Sequence, residues 1–329
     1  MYKQLSHYER EQIAILKAKR LSSVEIGRRL ERNQSTIRRE LKRLGPRTPY
    51  SPLRAQVDAK KKRKLPRTLK KLLNNDLWTV VKEKLLCQWS PEQIAQHLKR
   101  TYAEDSMQAS HETIYTYLYT LPRGELRKEL IAQLRQGARG RQNRKRGTDK
   151  RGTIPNMISI HERPAEVADR SVPGHWESDL IIGKDHASAI GTLVERTTRT
   201  TILVPLKAKD AKTVRSAFAR TVKRLPREIF KSITHDRGSE MAQHELFTKD
   251  TKVQIYFADP QSPWQRGTNE NTNGLIRQYF PKGTDFNQVS NTELKRVQTL
   301  LNQRPRKTLN WETPEEACVR LLGISAVGV

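Results

Sequence analysis

The spacing of apolar residues changes along this chain of 329 residues, and that change limits the possible folds more than any other feature. From residue 5 to about residue 121 the apolar side chains recur three or four positions apart, which is the period of amphipathic helices. After residue 173 come three short runs rich in β-branched residues, at 174–184, 189–196 and 200–207. The sequence therefore predicts a helical N-terminal part and a C-terminal part that contains a β-sheet.

Residues 1–50 predict a helix-turn-helix unit. Ser6 and Ser22 are each followed three residues later by Glu, which is the capping-box spacing at a helix start. A polar turn follows, and then a basic helix is predicted from about Gln34 to Leu44. This order is typical of a DNA-binding helix-turn-helix, although a plain three-helix bundle with a basic face is the alternative. The outward residues that can bind bases or phosphates are Gln34, Ser35, Thr36, Arg38 and Arg39.

Residues 74–136 repeat this pattern and predict a second helix-turn-helix unit. A helix start is indicated by Ser90-Pro91-Glu92-Gln93, which has a Ser cap and proline at the first helical position. A later helix begins at Ser110 and exposes His111, which is the predicted DNA contact of this unit. The exposed face is less basic here, so DNA contact and a packing role both stay open. Basic linkers are predicted at 51–73 and 137–168.

The charge distribution predicts a polyanionic partner. Lys and Arg number 63 against 35 Asp and Glu, which gives a formal net charge of +28. Residues 1–150 contribute +21 of this net charge and residues 151–329 contribute +7. The N-terminal half is therefore expected to bind nucleic acid. The two cysteines exclude a disulfide framework or a four-cysteine metal site. No apolar stretch reaches the length of a membrane span and no signal peptide is evident, so a cytoplasmic protein with no membrane partner is expected.

The C-terminal half predicts an α/β domain over 169–310, followed by a tail helix in 311–329. Its elements are predicted in the order βββαβαβα, which indicates a mixed sheet with helices on its faces. Asp179 lies inside a strand, Asp236 ends the fourth strand, and Glu270 lies in the first turn of the last helix of the series. Arg277 falls on nearly the same side of that helix as Glu270.

Three convergent carboxylates without a His/Cys cluster favour a hard, oxygen-binding cation, Mg²⁺ or Mn²⁺. Two such ions about 3.5–4 Å apart can activate a water or a 3′-hydroxyl and stabilise the leaving oxygen of a phosphodiester. Glu177 is an alternative to Asp179, because strand alternation puts both on one face. Asp259, which also follows a strand, is an alternative to Asp236.

Four segments resemble transposases of the bacterial insertion-sequence-thirty family, which belong to the DDE group and have a ribonuclease-H-like catalytic core. They are WESD (176–179), THDRGSE (234–240), YFADPQSPWQRGTNENTNGLIRQYFPKG (256–283) and LNQRPRK (301–307). The resemblance spans nearly the whole chain, and the 33 residues between Asp236 and Glu270 match the family's second spacing. It implies that Asp179, Asp236 and Glu270 are the catalytic, metal-binding triad and that Arg277 contacts DNA.

The basic turn in LNQRPRK adds two further candidates for phosphate contacts, Arg304 and Arg306, unless that turn only packs beside the core. The resemblance also implies binding of double-stranded DNA at terminal inverted repeats, metal-dependent cleavage of 3′ ends, and their transesterification into target DNA. It further implies at least a homodimer in the synaptic complex and a bacterial, nucleoid-associated protein. The alternative function is a helix-turn-helix transcription regulator whose C-terminal half only dimerises or binds a ligand.

Overall fold

A computed structural model describes residues 4–45, 48–64, 74–134 and 154–323 of the chain. The chain divides into two compact units, Met1–Asn75 and Asp76–Val329. Most of the predicted linker 137–168 lies outside the described residues, whereas the predicted linker 51–73 begins with a helix, Pro52–Lys64. None of the helices in the described ranges is long and apolar enough to cross a membrane.

The first unit is a small helical bundle. Its helices are α1 (His7–Ala18), α2 (Ser23–Arg29), α3 (Gln34–Leu41) and α4 (Pro52–Lys64). Ser6 forms the predicted capping box with Glu9, and Asn33 caps α3 by accepting from the backbone N–H of Ser35. Ile13, Ile26 and Ile37 are fully buried, so the predicted apolar stripes of α1, α2 and α3 meet in one core.

A buried ion pair ties the first unit together. Arg10 Nε donates to Glu40 Oε1 at 2.7 Å, and the two side chains are only 3% and 2% exposed. Arg10 Nη1 also donates to the carbonyl of Leu5 and to Gln56, while Glu40 accepts from Arg43 at 2.8 Å. These bonds link α1 to both α3 and α4, and they satisfy charges that would be costly to bury alone.

The second unit begins with four helices, α5 (Asn75–Leu86), α6 (Pro91–Thr101), α7 (His111–Thr120) and α8 (Glu125–Ala132). The predicted capping box at Ser90 is present. Apolar residues of α5, α6 and α7 pack inward, and Trp78 stacks on Tyr117 with ring centroids 3.8 Å apart. A short helix, α9 (Glu166–Asp169), precedes the sheet.

The sheet has five strands in the order β3-β2-β1-β4-β5. They are β1 (His175–Ile182), β2 (Ala189–Glu195), β3 (Thr201–Pro205), β4 (Ser232–His235) and β5 (Gln254–Phe257). The first three pair antiparallel, whereas β4 pairs parallel with both β1 and β5. The sheet is therefore mixed, and β1 lies at its centre.

Helices cover both faces of the sheet, as the element order predicted. They are α10 (Ala211–Lys223), α11 (His244–Thr251), α12 (Gly267–Tyr279), α13 (Asn291–Asn302) and α14 (Pro314–Leu322). Ile202 and Val204 join the core with α10 and α11, whereas Leu203 joins the core with α12 and α13. Because successive strand residues point to opposite faces, these two cores lie on the two sides of the sheet.

Candidate active site

Two aspartates come together at the centre of the sheet. Glu177 of β1 lies opposite Thr234 of β4 in a parallel pair. Asp179, inside β1, and Asp236, directly after β4, are each two residues further on and therefore lie at the same level of neighbouring strands. Arg266 Nη2 lies 3.3 Å from Asp236 Oδ2, and its Nη1 lies 3.8 Å from Asp179 Oδ2. One guanidinium thus contacts both carboxylates.

Asp179 is half-buried and held by two hydrogen bonds. Its carboxylate accepts hydrogen bonds from Asn273 Nδ2 and from the backbone N–H of Leu180, both at 2.9 Å. Burial raises the pKa of Asp179; Arg266 opposes the rise and the negative charge of Asp236 adds to it. Arg266 is the neighbouring positive charge that favours the ionised form of this carboxylate.

Glu270 lies on the helix that contacts Asp179, but on its exposed side. Asn273, three residues later on α12, reaches Asp179, and residues three apart on a helix are neighbours. Within the described ranges, one group of three His, Cys, Asp or Glu has its ligand atoms within 4.8 Å of one another, and it is His235, Asp236 and Glu240. The structure therefore brings Asp179 and Asp236 together and leaves Glu270 on the adjoining helix turn.

His235 lies directly before Asp236 and contacts it, and the sequence motifs alone do not show this contact. The side chain is fully buried, with Nδ1 2.7 Å from Ser178 Oγ. Its Nε2 lies 3.3 Å from Asp236 Oδ1 and 3.5 Å from Glu240 Oε1. Neither His235 Nε2 nor Asp236 Oδ1 makes a hydrogen bond with good geometry, although both atoms are buried. Buried, unsatisfied ligand atoms beside carboxylates fit the binding of a divalent cation at Asp236.

The two alternative carboxylates have other partners. Glu177 is fully buried, accepts from Arg196 Nη1 at 2.9 Å, and accepts from the backbone N–H of Asn269 at 2.8 Å. It therefore fixes the first turn of α12 to β1. Asp259 accepts from Gln265 at 2.8 Å and lies 2.8 Å from His161 Nε2, and the hydrogen bond from Gln265 lowers its pKa. Both carboxylates are engaged in local structure.

Comparison with known proteins agrees with this geometry. Residues 1–44 match a family model described as a helix-turn-helix domain, and residues 169–263 match one described as an integrase core domain. The chain is 46% identical over 324 residues to the transposase for insertion sequence element IS1086 of Cupriavidus metallidurans, covering 98% of this chain and 96% of that protein. It is 44% identical over 318 residues to the transposase InsI for insertion sequence element IS30A of Escherichia coli, covering 95% and 82%.

The chain belongs to the IS30 family of transposases. It is a DDE-type transposase with a DNA-binding helix-turn-helix domain and a ribonuclease-H-like integrase core that depends on a divalent metal. The predicted fold class and enzyme class are thereby confirmed, and the transcription regulator is not supported by these relatives. The match to the integrase core ends at residue 263, so the role of Glu270 still depends on its spacing from Asp236.

The predicted DNA-contacting face of the first unit is accessible in this transposase. Gln34, Ser35, Arg38 and Arg39 are exposed on α3, and Thr36 is half-buried. Arg39 donates from Nε to the carbonyl of Ser35, one turn earlier, and from Nη2 to the Ser35 hydroxyl. The side chains of Gln34 and Arg38 are exposed on the same face. In the second unit His111 is also exposed, but it lies 3.3 Å from Glu112.

Three arginines predicted to contact DNA are used inside the protein. Arg277 donates to the carbonyl of Ile182 at 2.6 Å and to the carbonyls at the end of α12, and burial lowers its pKa. Arg304 is fully buried and donates to Gln93 and Gln278. Arg306 is 8% exposed and donates to the carbonyl of Leu301. The basic turn thus packs against the core, because its guanidinium groups find internal acceptors, and this differs from the predicted phosphate contacts.

Proposed function

We propose that this transposase cleaves the 3′ ends of its insertion sequence and joins them to target DNA at a site built from Asp179, Asp236 and Glu270. The observation that carries the proposal is the contact of one guanidinium, that of Arg266, with the carboxylates of both Asp179 and Asp236. Two carboxylates that converge in this way offer oxygen ligands of the kind that Mg²⁺ binds in proteins. Oxygen ligands favour Mg²⁺ or Mn²⁺, and two ions are expected.

Bound ions would supply an activated water or 3′-hydroxyl and would stabilise the leaving oxygen. The residues around them have separate tasks. Asn273 orients Asp179, and Glu177 fixes the first turn of α12 to the strand that carries Asp179. Arg266 neutralises the aspartate pair and, beside it, offers N–H donors to a phosphate oxygen of the DNA.

Glu270 completes the site from the exposed side of α12. Because Cβ atoms three residues apart on a helix are about 5–6 Å apart, Glu270 starts close to Asn273, which already reaches Asp179. We propose that its side chain turns toward the aspartate pair when metal and DNA bind.

The DNA ends are recognised by the first unit in this proposal. The exposed face of α3 enters the major groove at the terminal inverted repeats, where Gln34 can pair with adenine and Arg38 with guanine or phosphate. Cleavage and joining of two ends require both ends in one assembly. We therefore expect at least a homodimer in the synaptic complex.

The experiment compares Asp179→Asn, Asp236→Asn and Glu270→Gln in a Mg²⁺-dependent cleavage and strand-transfer assay on a duplex carrying the end of the chain's own insertion sequence. Each variant is expected to bind that duplex normally and to lose both cleavage and joining. Asp250→Asn is the matched control, because Asp250 is a partly exposed carboxylate on α11. Full activity in any one of the three variants removes that residue from the triad.

A further inference from the structure

A second cationic feature of the same unit lies outside the carboxylate site. A cavity of about 670 Å³, called here the arginine cavity, is lined by five arginines and a single acidic residue, Glu312. The five are Arg100, Arg170, Arg196, Arg199 and Arg320. So many guanidinium groups around one cavity attract an anion unless carboxylates already neutralise them.

Three of these arginines have carboxylate partners. Arg320 pairs with Glu312 at 2.8 Å, and Arg196 pairs with the buried Glu177 at 2.9 Å. Arg100 lies 3.3 Å from Glu316 and also donates to the carbonyl of Trp311. These carboxylates offset the positive charge of three arginines. The remaining positive charge of the cavity comes from the other two, Arg170 and Arg199.

Arg170 and Arg199 have no carboxylate within 4.0 Å among the residues that the structure describes. Arg199 Nη1 donates to Thr268 Oγ1 at 2.5 Å, but its Nε is buried without a hydrogen-bond partner. The Nε of Arg196, whose residue is 5% exposed, is buried and unpartnered as well. Burial and the charge of Arg170 lower the pKa of both Arg196 and Arg199. The cavity is therefore lined by crowded positive charge that the neighbouring carboxylates only partly neutralise, and such a surface attracts an anion.

Two arginines of the cavity bond to the segment that carries Arg266. Arg199 bonds to Thr268, and Arg196 Nη1 lies 3.5 Å from the carbonyl of Gln265. Between these two partners is Arg266, which contacts Asp179 and Asp236. The short segment Gln265–Thr268 therefore connects the arginines of the cavity to the aspartate pair.

We propose that the arginine cavity binds backbone phosphates of the DNA strand next to the phosphodiester that is cleaved or joined, with Arg170 and Arg199 as the main contacts. Guanidinium groups bind phosphate oxygens through paired N–H donors, and such contacts position DNA without reading its sequence. The placement of the DNA rests on the proposed function. The chemistry of the cavity, a site for a phosphate monoanion, does not.

The test measures the salt dependence of DNA binding by the full chain, with EDTA present so that no cleavage occurs. The probe is a duplex carrying the end of the insertion sequence, and the variants are Arg170→Gln, Arg199→Gln and the double variant. Removing one phosphate contact reduces the slope of log K against log salt by about 0.9, so the slope of the double variant is expected to fall by about two units. Arg220→Gln, at an exposed arginine on α10 away from the cavity, is expected to keep the slope of the unchanged protein.

Folding is checked in the same series. Arg199→Lys keeps the charge and is expected to recover part of the slope, which a defect in packing around Thr268 would not allow. A thermal melt of each variant identifies loss of structure. If Arg199→Gln fails to fold, Arg170→Gln alone decides, because Arg170 is exposed and its bond to Thr197 uses only the backbone carbonyl; its expected effect is a fall of about one unit of slope.

Two further measurements separate the possible outcomes. Titration with inorganic phosphate distinguishes a free-anion site from a DNA site: phosphate binding that disappears in the double variant while the DNA slope is unchanged overturns the assignment to DNA. An unchanged slope together with no phosphate binding overturns the anion site altogether. Asp179→Asn is expected to keep the slope and lose cleavage. Failure of the carboxylate site and failure of the arginine cavity therefore give different results.

Discussion

Four residues separate α2 from α3 in the first unit, whereas nine residues separate α6 from α7 in the second. The short turn is the one that a DNA-binding helix-turn-helix requires. The two final helices also differ in chemistry, because α3 exposes Arg38 and Arg39 while α7 exposes His111, Glu112 and Tyr119. The same sequence pattern of capped amphipathic helices thus gives one accessible basic helix and one that carries no exposed arginine or lysine.

The helices of the second region are docked on the catalytic core of the same unit. Gln93 of α6 donates to the carbonyl of Pro305 at 2.7 Å and accepts from Arg304 at 3.0 Å. Tyr279, at the end of α12, donates to the carbonyl of Cys87 at 3.1 Å. The comparison teaches that the first region is built to meet an external partner and that the second is built to support the helix that carries Glu270.

The largest expected effect is a loss of stability confined to the first region. Glu40→Gln leaves the buried Arg10 without its counter-charge, and losing one partner of a buried pair costs about 3–5 kcal/mol. We expect faster amide exchange throughout α1 and α3, with unchanged exchange in α6 and β1. Glu11→Gln, at an exposed carboxylate of α1, is the control. Unchanged exchange in α1 would show that Leu5 and Gln56 suffice as partners of Arg10.

A smaller effect is expected when the docking of the second region is broken. Arg304→Met removes two charge-assisted hydrogen bonds, to Gln93 and to Gln278, and we expect a cost of about 2 kcal/mol. The expected result is a lower melting temperature of the second unit and faster exchange in α6, with α3 unaffected. Arg296→Met, at an exposed arginine of α13, is the control. Faster exchange in α3 and not in α6 would contradict the docking.

The two regions are also expected to differ in DNA affinity. Loss of one exposed side chain should weaken binding about tenfold in the first region and very little in the second. Arg38 is exposed and has no partner among the described residues, so Arg38→Ala is expected to weaken binding to the terminal duplex by about 1–3 kcal/mol and to lower the salt slope by roughly one unit. His111→Ala, the matching change on α7, is expected to leave affinity within twofold. Fluorescence anisotropy with labelled duplex measures both. A larger loss from His111→Ala would assign DNA reading to the second region.

Sequence reasoning worked where a local rule decides the structure. Capping at Ser6 and Ser90, the strands at 174–207 and the helix ending at Tyr279 follow from spacing and cap chemistry alone, and all are present. The convergence of Asp179 and Asp236, which the family resemblance implied, follows from the parallel pairing of β1 with β4.

Contacts between distant segments were not predictable in the same way. Arg304 and Arg306 look like exposed basic residues in LNQRPRK, yet acceptors more than two hundred positions away in sequence, on α6, help bury the first of them. Glu177 and Asp179 share a strand face. Only the contacts of Glu177 with Arg196 and the Asn269 N–H show that Glu177 has a structural role. The arginines of the cavity also come from distant parts of the sequence, so no sequence motif predicts the cavity.

The smallest expected effect concerns pH. It follows from the different third residues of the capping boxes that begin α1 and α6. Glu9 accepts from the backbone N–H of Ser6 and from Arg32 Nε, and the hydrogen bond from Arg32 leads in lowering its pKa from 4.5 to about 2. Gln93 takes the same place in the second box and does not titrate. Because the folded pKa lies below the unfolded one, the contribution of Glu9 is complete above pH 4.5 and is lost as the pH falls toward 2.

The pair between Glu9 and Arg32 is near the surface, so its contribution is below about 1 kcal/mol. We expect protection of the α1 amides to fall between pH 4.5 and pH 2, and Glu9→Gln to remove that fall while lowering protection at pH 5. Glu25→Gln, next to the cap of α2, is the control, because the Ser22 cap does not depend on a basic partner of Glu25. Protection of α6, whose box is neutral, is expected to show no matching change. If α6 loses protection over the same range as α1, the acid sensitivity belongs to the protein as a whole and not to the charged capping box.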